Sequence, residues 1–256
     1  MKGRFSLAGI FGTITPNQLS PTGVFVNRSC IVIPVYNNPE TIESVTADAL
    51  ETGAYVIVVD DGSEPGVVLG FESDRLELLR HGTNKGKGEA ILTGGNRARA
   101  LGFDAFFVLD ADGQHFPAEI SRFEGRNRSR CIVIGNRSFG ENVPDSSRFG
   151  REFSNFWVRL ETGWRLQDTQ SGFRSYPVGV LDLPLRKKRY DFEIEVLVRH
   201  LWAGGCVEEV EIGVYYPRPE ERVSHFDKFR DNVRLSLLHT TLVLQSWWHR
   251  FPGSNS

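Results

Sequence analysis

The 256-residue chain is poor in the features that define several protein classes. It has three cysteines and one methionine, and the cysteines show neither the spacing of a zinc site nor the even number of a disulfide framework. Cys30, Cys131 and Cys206 each open an apolar run, CIVIPV, CIVIG and CVEEVEIGV. They are expected as small buried residues at strand starts, not as disulfide partners. Charge of one sign is also missing. Thirty Lys and Arg stand against 32 Asp and Glu, a formal net charge of -2, so bulk attraction to nucleic acid is excluded as a binding mode. No run approaches the ~18 uncharged apolar residues of a membrane-spanning helix. Lys2 and Arg4 precede an apolar stretch, but Ser6, Gly9, Gly12 and Thr13 interrupt it and no small-residue cleavage site follows. A secretory signal is not expected on these grounds, and a cytoplasmic location is.

What is present is a globular composition, 40% hydrophobic and 24% charged, on a chain long enough for one domain with a substantial core. Residues 1–28 lack periodicity, carry Gly3, Gly9, Gly12, Pro16, Pro21 and Gly23, and read as an N-terminal extension. From Cys30 onward, short apolar runs at 30–35, 55–60, 76–80, 105–109 and 131–135 alternate with helical spacing at 39–52 and 87–101. Uninterrupted apolar strands alternating with helices indicate an α/β fold, a mostly parallel sheet covered on both faces. The second half reads as an amphipathic helix over 148–163, a loop over 167–176, a helix over 191–204 and a strand near 207–216. A final amphipathic helix spans 226–250. The domain is placed at 29–220 and a C-terminal amphipathic segment at 221–256. That segment either packs on the domain or lies at a membrane surface, the latter favoured by Trp247, Trp248, Arg230, Arg234 and Arg250.

Ligands of open parallel sheets collect beyond the carboxyl ends of strands, and the polar residues concentrate there. The first run ends in Pro34-Val35-Tyr36-Asn37-Asn38, the second in Asp60-Asp61-Gly62-Ser63, and the fourth in Asp110-Ala111-Asp112-Gly113-Gln114-His115. Two carboxylates flanking one alanine repel unless a cation lies between them. A hard divalent ion, Mg²⁺ or Mn²⁺, sharing few protein oxygens with substrate phosphates suits Asp110 and Asp112, with Gln114 as a neutral oxygen. The plainer reading makes Asp112 a helix cap ahead of Pro117. Asn84-Lys85-Gly86-Lys87-Gly88 opens a helix, where glycines and a helix N-terminus favour an anion. It matches neither a P-loop nor GxGxxG.

Taken in order, IPVYNN (33–38), VVDDGS (58–63), NKGKGEA (84–90), LDADGQH (109–115), GNR (135–137) and DTQSGFR (168–174) resemble the family 2 glycosyltransferases of the GT-A fold. The resemblance is strongest to the dolichyl-phosphate-mannose-synthase-like branch. YDFEIEVLVRHLWAGG (190–205) and VSHFDKFRDNVRLSLLHT (223–240) are similar to a bacterial subgroup linked to lipid and aryl-polyene-type pathways. The resemblance implies a nucleotide-sugar donor bound by Pro34, Tyr36, Asn38, Asp61, Lys87, Asp110 and Ala111, and a metal held by Asp110, Asp112 and Gln114. It implies a lipid-linked acceptor, such as polyprenyl phosphate, met by Arg137 with Arg148, Arg174 and His225 on the acceptor side. Asn136 departs from the serine usual between Gly135 and Arg137. Asp112, Arg137 and Asp168 are the catalytic candidates, and the implied reaction inverts the anomeric centre. Asp168 is the base if the acceptor is a hydroxyl, and serves binding or loop structure if it is a phosphate. Tyr36 as a core residue, the arginines as solvated surface and His225 as a structural histidine are the competing readings.

Other classes stay open at this level. A hydroxyl of a lipid or glycan is the alternative acceptor, and a non-catalytic nucleotide-sugar-binding module is a different class altogether. A nucleotidyltransferase would place a Gly-rich loop directly after the first strand, where this chain has PVYNN. Without a membrane span, contact with a lipid-linked acceptor is expected to be peripheral, at the inner face of the cytoplasmic membrane.

Overall fold

A computed structural model of the chain describes residues 28–126, 128–137, 145–186, 189, 191–214 and 236–246. The expected extension, apart from Arg28, lies outside these residues, as do His225, Trp247 and Trp248. Seven strands, β1 (Ser29–Val35), β2 (Val56–Asp60), β3 (Leu76–Arg80), β4 (Ala105–Val108), β5 (Cys131–Arg137), β6 (Arg174–Pro177) and β7 (Cys206–Ile212), form one sheet. Their order is β3-β2-β1-β4-β6-β5-β7. The β1–β2, β1–β4, β2–β3 and β5–β7 pairs are parallel, while β6 is antiparallel to both β4 and β5. Helices α1 (Ile42–Glu51), α2 (Lys87–Ala100), α3 (Asp145–Thr162) and α4 (Phe192–Trp202) flank it, with α5 at 236–246.

Alternate side chains of each strand enter opposite layers. Val32, Ile57, Val59, Phe106 and Val108 join Ile91 of α2 and Val196 of α4 in one core. Ile31, Ile33, Val58 and Phe107 join Ile42, Val45 and Ala49 of α1 in the other. Burial of both faces is why the strands read as unbroken apolar runs. α2 sits close on the sheet because Gly94 and Gly95 lack side chains. A Cβ on Gly94 would lie 2.3 Å from Val32 Cγ1, and one on Gly95 would lie 2.9 Å from Phe106 Cζ. This seating fixes where Lys87, the first residue of α2, emerges over the sheet edge.

Two expectations are corrected. The 167–176 stretch is not all loop, since Arg174–Pro177 is a fully buried central strand. Its residues Arg-Ser-Tyr-Pro carry no apolar run, and it is held by its register, with Val108 opposite Arg174 and Ile134 opposite Arg174 on the other side. Because β6 runs backwards, the segment before it arrives at the same edge as the ends of β1, β4 and β5. The cysteines differ as well. Cys131 and Cys206 start neighbouring parallel strands in direct register, with Cα atoms 4.5 Å apart, and form a disulfide. Linear spacing could not reveal that alignment. Cys30 is free, and burial pushes its thiol up to about 12.

α5 buries Leu238, His239, Leu242 and Ser246, and His239 joins it to α3. His239 Nδ1 lies 2.8 Å from Glu161 Oε1, and its ring stacks on Trp157 with centroids 5.9 Å apart. Burial raises the Glu161 carboxyl above its usual range, and the hydrogen bond and charge of His239 oppose this.

Two outcomes are expected. Denatured protein kept free of reductant should titrate one thiol per chain, and reduced protein three. The closed segment, with a sequence separation of 75, sets the loss in Cys206→Ser at no more than about 4.5 kcal/mol in the chain-entropy account. His239→Leu leaves Glu161 buried without its partner and should cost about 3–5 kcal/mol in urea denaturation. A carboxyl raised in the folded state takes up a proton on folding, so this deficit should narrow as pH falls and widen as it rises.

Candidate active site

The loops at the carboxyl edge are tied to one another by side chains that the motifs supply. Asp60 accepts from the backbone N–H groups of Ser63 (2.8 Å) and Val67 (3.1 Å), so it shapes its own loop. Asn38 donates through Nδ2 to the Ala111 carbonyl at 3.1 Å and accepts from Thr41 Oγ1 at 3.0 Å, and Thr41 also donates to Ala111. This clamps the end of β1 to the turn that carries Asp110 and Asp112. Asp61 is buried. It pairs with His81 Nδ1 at 2.6 Å and accepts from Lys85 N–H at 2.9 Å on Oδ1, and from Gly86 N–H at 2.7 Å on Oδ2. A base N–H would have to join these donors, which already spend the carboxylate on presenting the Lys85–Lys87 turn. Tyr36 is 36% exposed and therefore no core residue, whereas Pro34 is buried inside β1 opposite Val59.

The turn after β4 gathers charge. Lys87 Nζ lies 2.7 Å from Asp110 Oδ1 and 3.1 Å from Glu193 Oε1. Burial works against the ammonium, but the Asp110 and Glu193 charges outweigh it and hold Lys87 above its ordinary range. Burial likewise disfavours the Asp110 carboxylate, and the Lys87 charge and hydrogen bond reverse this and lower its pKa. Asp112 is pushed up to about 6, first by burial and then by the charge of Asp110. Its Oδ1 accepts from Gln114 N–H at 3.0 Å. It does not cap the 3-10 helix at Pro117–Phe123, whose N-cap is Phe116 with no side-chain cap. His115 is buried, stacked on Phe173 with centroids 5.4 Å apart, and burial brings it down to about 4.

At the end of β5, Arg137 grips Asp168 with two parallel bonds, Nε to Oδ2 at 2.7 Å and Nη2 to Oδ1 at 2.9 Å. Arg151 of α3 stands 3.8 Å from the same Oδ2. Asp168 is wholly buried, and Glu209 of β7 accepts its backbone N–H at 3.2 Å. Arg174 does not reach an acceptor. It is wholly buried, and its guanidinium donates to the carbonyls of Ser171 (2.7 Å), Glu193 (2.8 Å) and Thr169 (2.6 Å), fixing the 168–174 loop from within. Arg148 is exposed on α3, and the arginine that this helix brings to Asp168 is Arg151.

A profile described as Glycosyl transferase family 2 matches residues 30–188, which span every one of these loops. The chain belongs to that family. It is 32% identical over 196 residues to a UDP-N-acetylglucosamine–dolichyl-phosphate N-acetylglucosaminyltransferase of Methanococcus voltae, covering 66% of this chain and 78% of that protein. It is 29% identical to an undecaprenyl-phosphate mannosyltransferase of Micrococcus luteus (72% and 82% covered). It is 27% identical to a polyprenol monophosphomannose synthase of Mycolicibacterium smegmatis (77% and 79%). Among solved structures, glucosyl-3-phosphoglycerate synthase from Mycobacterium tuberculosis in complex with Mn²⁺, UDP and phosphoglyceric acid superposes with a TM-score of 0.59 at 18% identity. That alignment covers 89% of this chain and 80% of that one. The chain is thus a glycosyltransferase with the GT-A, Rossmann-like architecture.

The donor set of this family 2 site suits a hard divalent ion. Among the described residues no three His, Cys, Asp or Glu side chains form a ready cage. A cation held by one or two carboxylates and by substrate phosphates needs none, and Asp112, raised by burial and then by Asp110, is where such an ion would relieve both. Glu193 is the site residue that the sequence reading passed over. The available signal was its place in DFEIEVLV, where Glu193 and Glu195 interrupt an apolar helix face and both are buried. Gly172 is required for close approach. A Cβ there would lie 2.6 Å from Asp110 Oδ2 and 3.2 Å from Lys87 Nζ. Gly172→Ala should therefore displace the Asp110–Lys87 pair and lower donor turnover by on the order of a hundredfold, the cost typical of a misplacement near 1 Å. Its melting temperature should change little.

Proposed function

We propose that this glycosyltransferase transfers a sugar from a nucleoside diphosphate to a polyprenyl phosphate, with inversion at the anomeric carbon and a divalent cation shared by Asp110 and Asp112. The observation that carries the acceptor assignment is the buried, bidentate Arg137–Asp168 pair. A carboxylate with both oxygens engaged by a guanidinium, and without solvent access, is poorly placed to take a proton from a hydroxyl. A phosphate monoester needs no such base, since its second pKa near ~6 leaves it anionic and nucleophilic at neutral pH. Asp168 then orients Arg137, whose side chain is 20% exposed, towards the acceptor phosphate, with Arg151 adding charge. The three relatives, two named for dolichyl- and undecaprenyl-phosphate transfer and one for making a polyprenol monophosphomannose, support the same class.

Asp110, Asp112 and Gln114 would hold the cation, which supplies charge against the departing diphosphate when bound. Lys87 adds a fixed ammonium on the same side. Tyr36, exposed at the end of β1, is placed to lie against the base, and Ala111, clamped by Asn38 and Thr41, sets the height of the sugar between the two carboxylates.

No helix among the described residues is long and apolar enough to cross a membrane. The lipid would be met at a surface, and α3 offers one. Phe153, Phe156 and Leu160 follow helical spacing and are 40%, 60% and 41% exposed, with Trp164 just beyond and Leu237 and Leu244 on α5. This patch supports peripheral contact at the cytoplasmic membrane face.

The test compares a short-chain polyprenyl phosphate with the matching free polyprenol. Transfer is expected to the phosphate alone. Asp168→Asn keeps one oxygen for Arg137 and should slow transfer by about tenfold, chiefly through acceptor KM, against the 10²–10⁴ typical of losing a general base. Transfer to the free polyprenol that vanishes in Asp168→Asn would reverse the assignment.

A further inference from the structure

Lys87 occupies an unusual position for a residue at a metal and diphosphate site. It does not point from a mobile loop towards solvent. It is the first residue of α2, its side chain is 16% exposed, and its ammonium sits between Asp110 of the β4 turn and Glu193 of α4. The three come from segments far apart in sequence, with a separation of 106 between Lys87 and Glu193 alone. The seat is built from several sides. Gly172 leaves room for the pair, and Arg174 holds the Glu193 carbonyl at 2.8 Å, fixing the start of α4. Glu193 is itself 8% exposed, and its carboxylate lies against the ammonium.

A cation already lies on Asp110, where the donor reading calls for an incoming ion and diphosphate. The two cannot hold the same oxygen at full strength. If Asp110 were the only carboxylate on Lys87, releasing it would leave a largely enclosed ammonium with its charge uncompensated, which is strongly unfavourable. Glu193 removes that obstacle, because the ammonium keeps one carboxylate at hydrogen-bonding distance while Asp110 changes partners.

We propose that Lys87 is a built-in counter-cation that neutralises Asp110 until donor and metal arrive, and that Glu193 is the positioning residue that retains Lys87 beside the diphosphate once Asp110 is claimed. This rests on the donor-site reading above. Lys87 then does two opposing things. It competes with the ion in the donor-free protein and assists the leaving group in the loaded one. Glu193 acts only through Lys87.

The experiment measures Mn²⁺ binding to the donor-free full-length protein by electron paramagnetic resonance, for wild type, Lys87→Met, Glu193→Gln and the double variant. Lys87→Gln serves as a second neutral replacement, and circular dichroism confirms folding. Lys87→Met should tighten Mn²⁺ binding by on the order of tenfold, the factor that one pK unit of charge interaction represents, although transfer falls. Glu193→Gln should weaken Mn²⁺ binding in the wild-type background and leave it unchanged in the Lys87→Met background, the coupling that a double-mutant cycle isolates. Weakening by Glu193→Gln of equal size in both backgrounds would show a simple field effect and overturn the proposal. So would Lys87 variants that bind Mn²⁺ no better than wild type. Wild-type protein that binds no Mn²⁺ even with a nucleoside diphosphate would overturn the donor-site reading itself, a result distinct from the other two.

Discussion

The Lys87 ammonium, 2.7 Å from Asp110 and 3.1 Å from Glu193, is the interaction on which the organisation of the sheet edge depends. It lets two largely enclosed carboxylates, Asp110 after β4 and Glu193 at the start of α4, meet at one point despite their repulsion. The surrounding structure serves this arrangement. Gly94 and Gly95 bring α2 down so that Lys87 projects over the edge. Asp61 secures the preceding turn, Asn38 and Thr41 fix Ala111, and Arg174 braces the loop that faces the pair. Even so, the balance is incomplete. Asp112 is raised to about 6 by burial and by Asp110, which marks a place where one more positive charge is stabilising.

The acceptor side follows a second charge rule. Asp168 is neutralised by Arg137 at 2.7 and 2.9 Å and approached by Arg151 at 3.8 Å. Two arginines converge on this carboxylate, and the Glu209 carboxylate stands beside them at the Asp168 backbone N–H. Under the proposed function, this cluster and the Asp110–Asp112 turn would set a negatively charged acceptor opposite the donor's diphosphate. The same two features explain why the fold needs an antiparallel β6. Only a strand entering from this edge delivers residues 168–174 to it.

Much of this was legible in the chain. Apolar runs located β1, β2, β3, β4 and β5, because both faces of a parallel sheet are buried, and polar residues at strand ends located Asp110 and Asp112, whereas Arg137 and Asp168 were pointed to by the family resemblance. What escaped depended on tertiary neighbours. β6 reads as polar because Arg174 is paid for in carbonyl hydrogen bonds that no local pattern encodes. The Cys131–Cys206 link depends on the register of two strands whose cysteines have a sequence separation of 75. Arg174 fits a motif position facing the acceptor, yet the depth of its strand turns it inward. Glu193 lies at the start of a largely apolar helix, and its role became visible only once Lys87 was placed.

The most direct test of this charge account is calorimetry of a nucleoside diphosphate, UDP or GDP, against the protein with Mn²⁺ and with a chelator. The account predicts binding that requires the ion and disappears in Asp112→Ala. Binding of equal strength in chelator, or unaffected by that substitution, would contradict it.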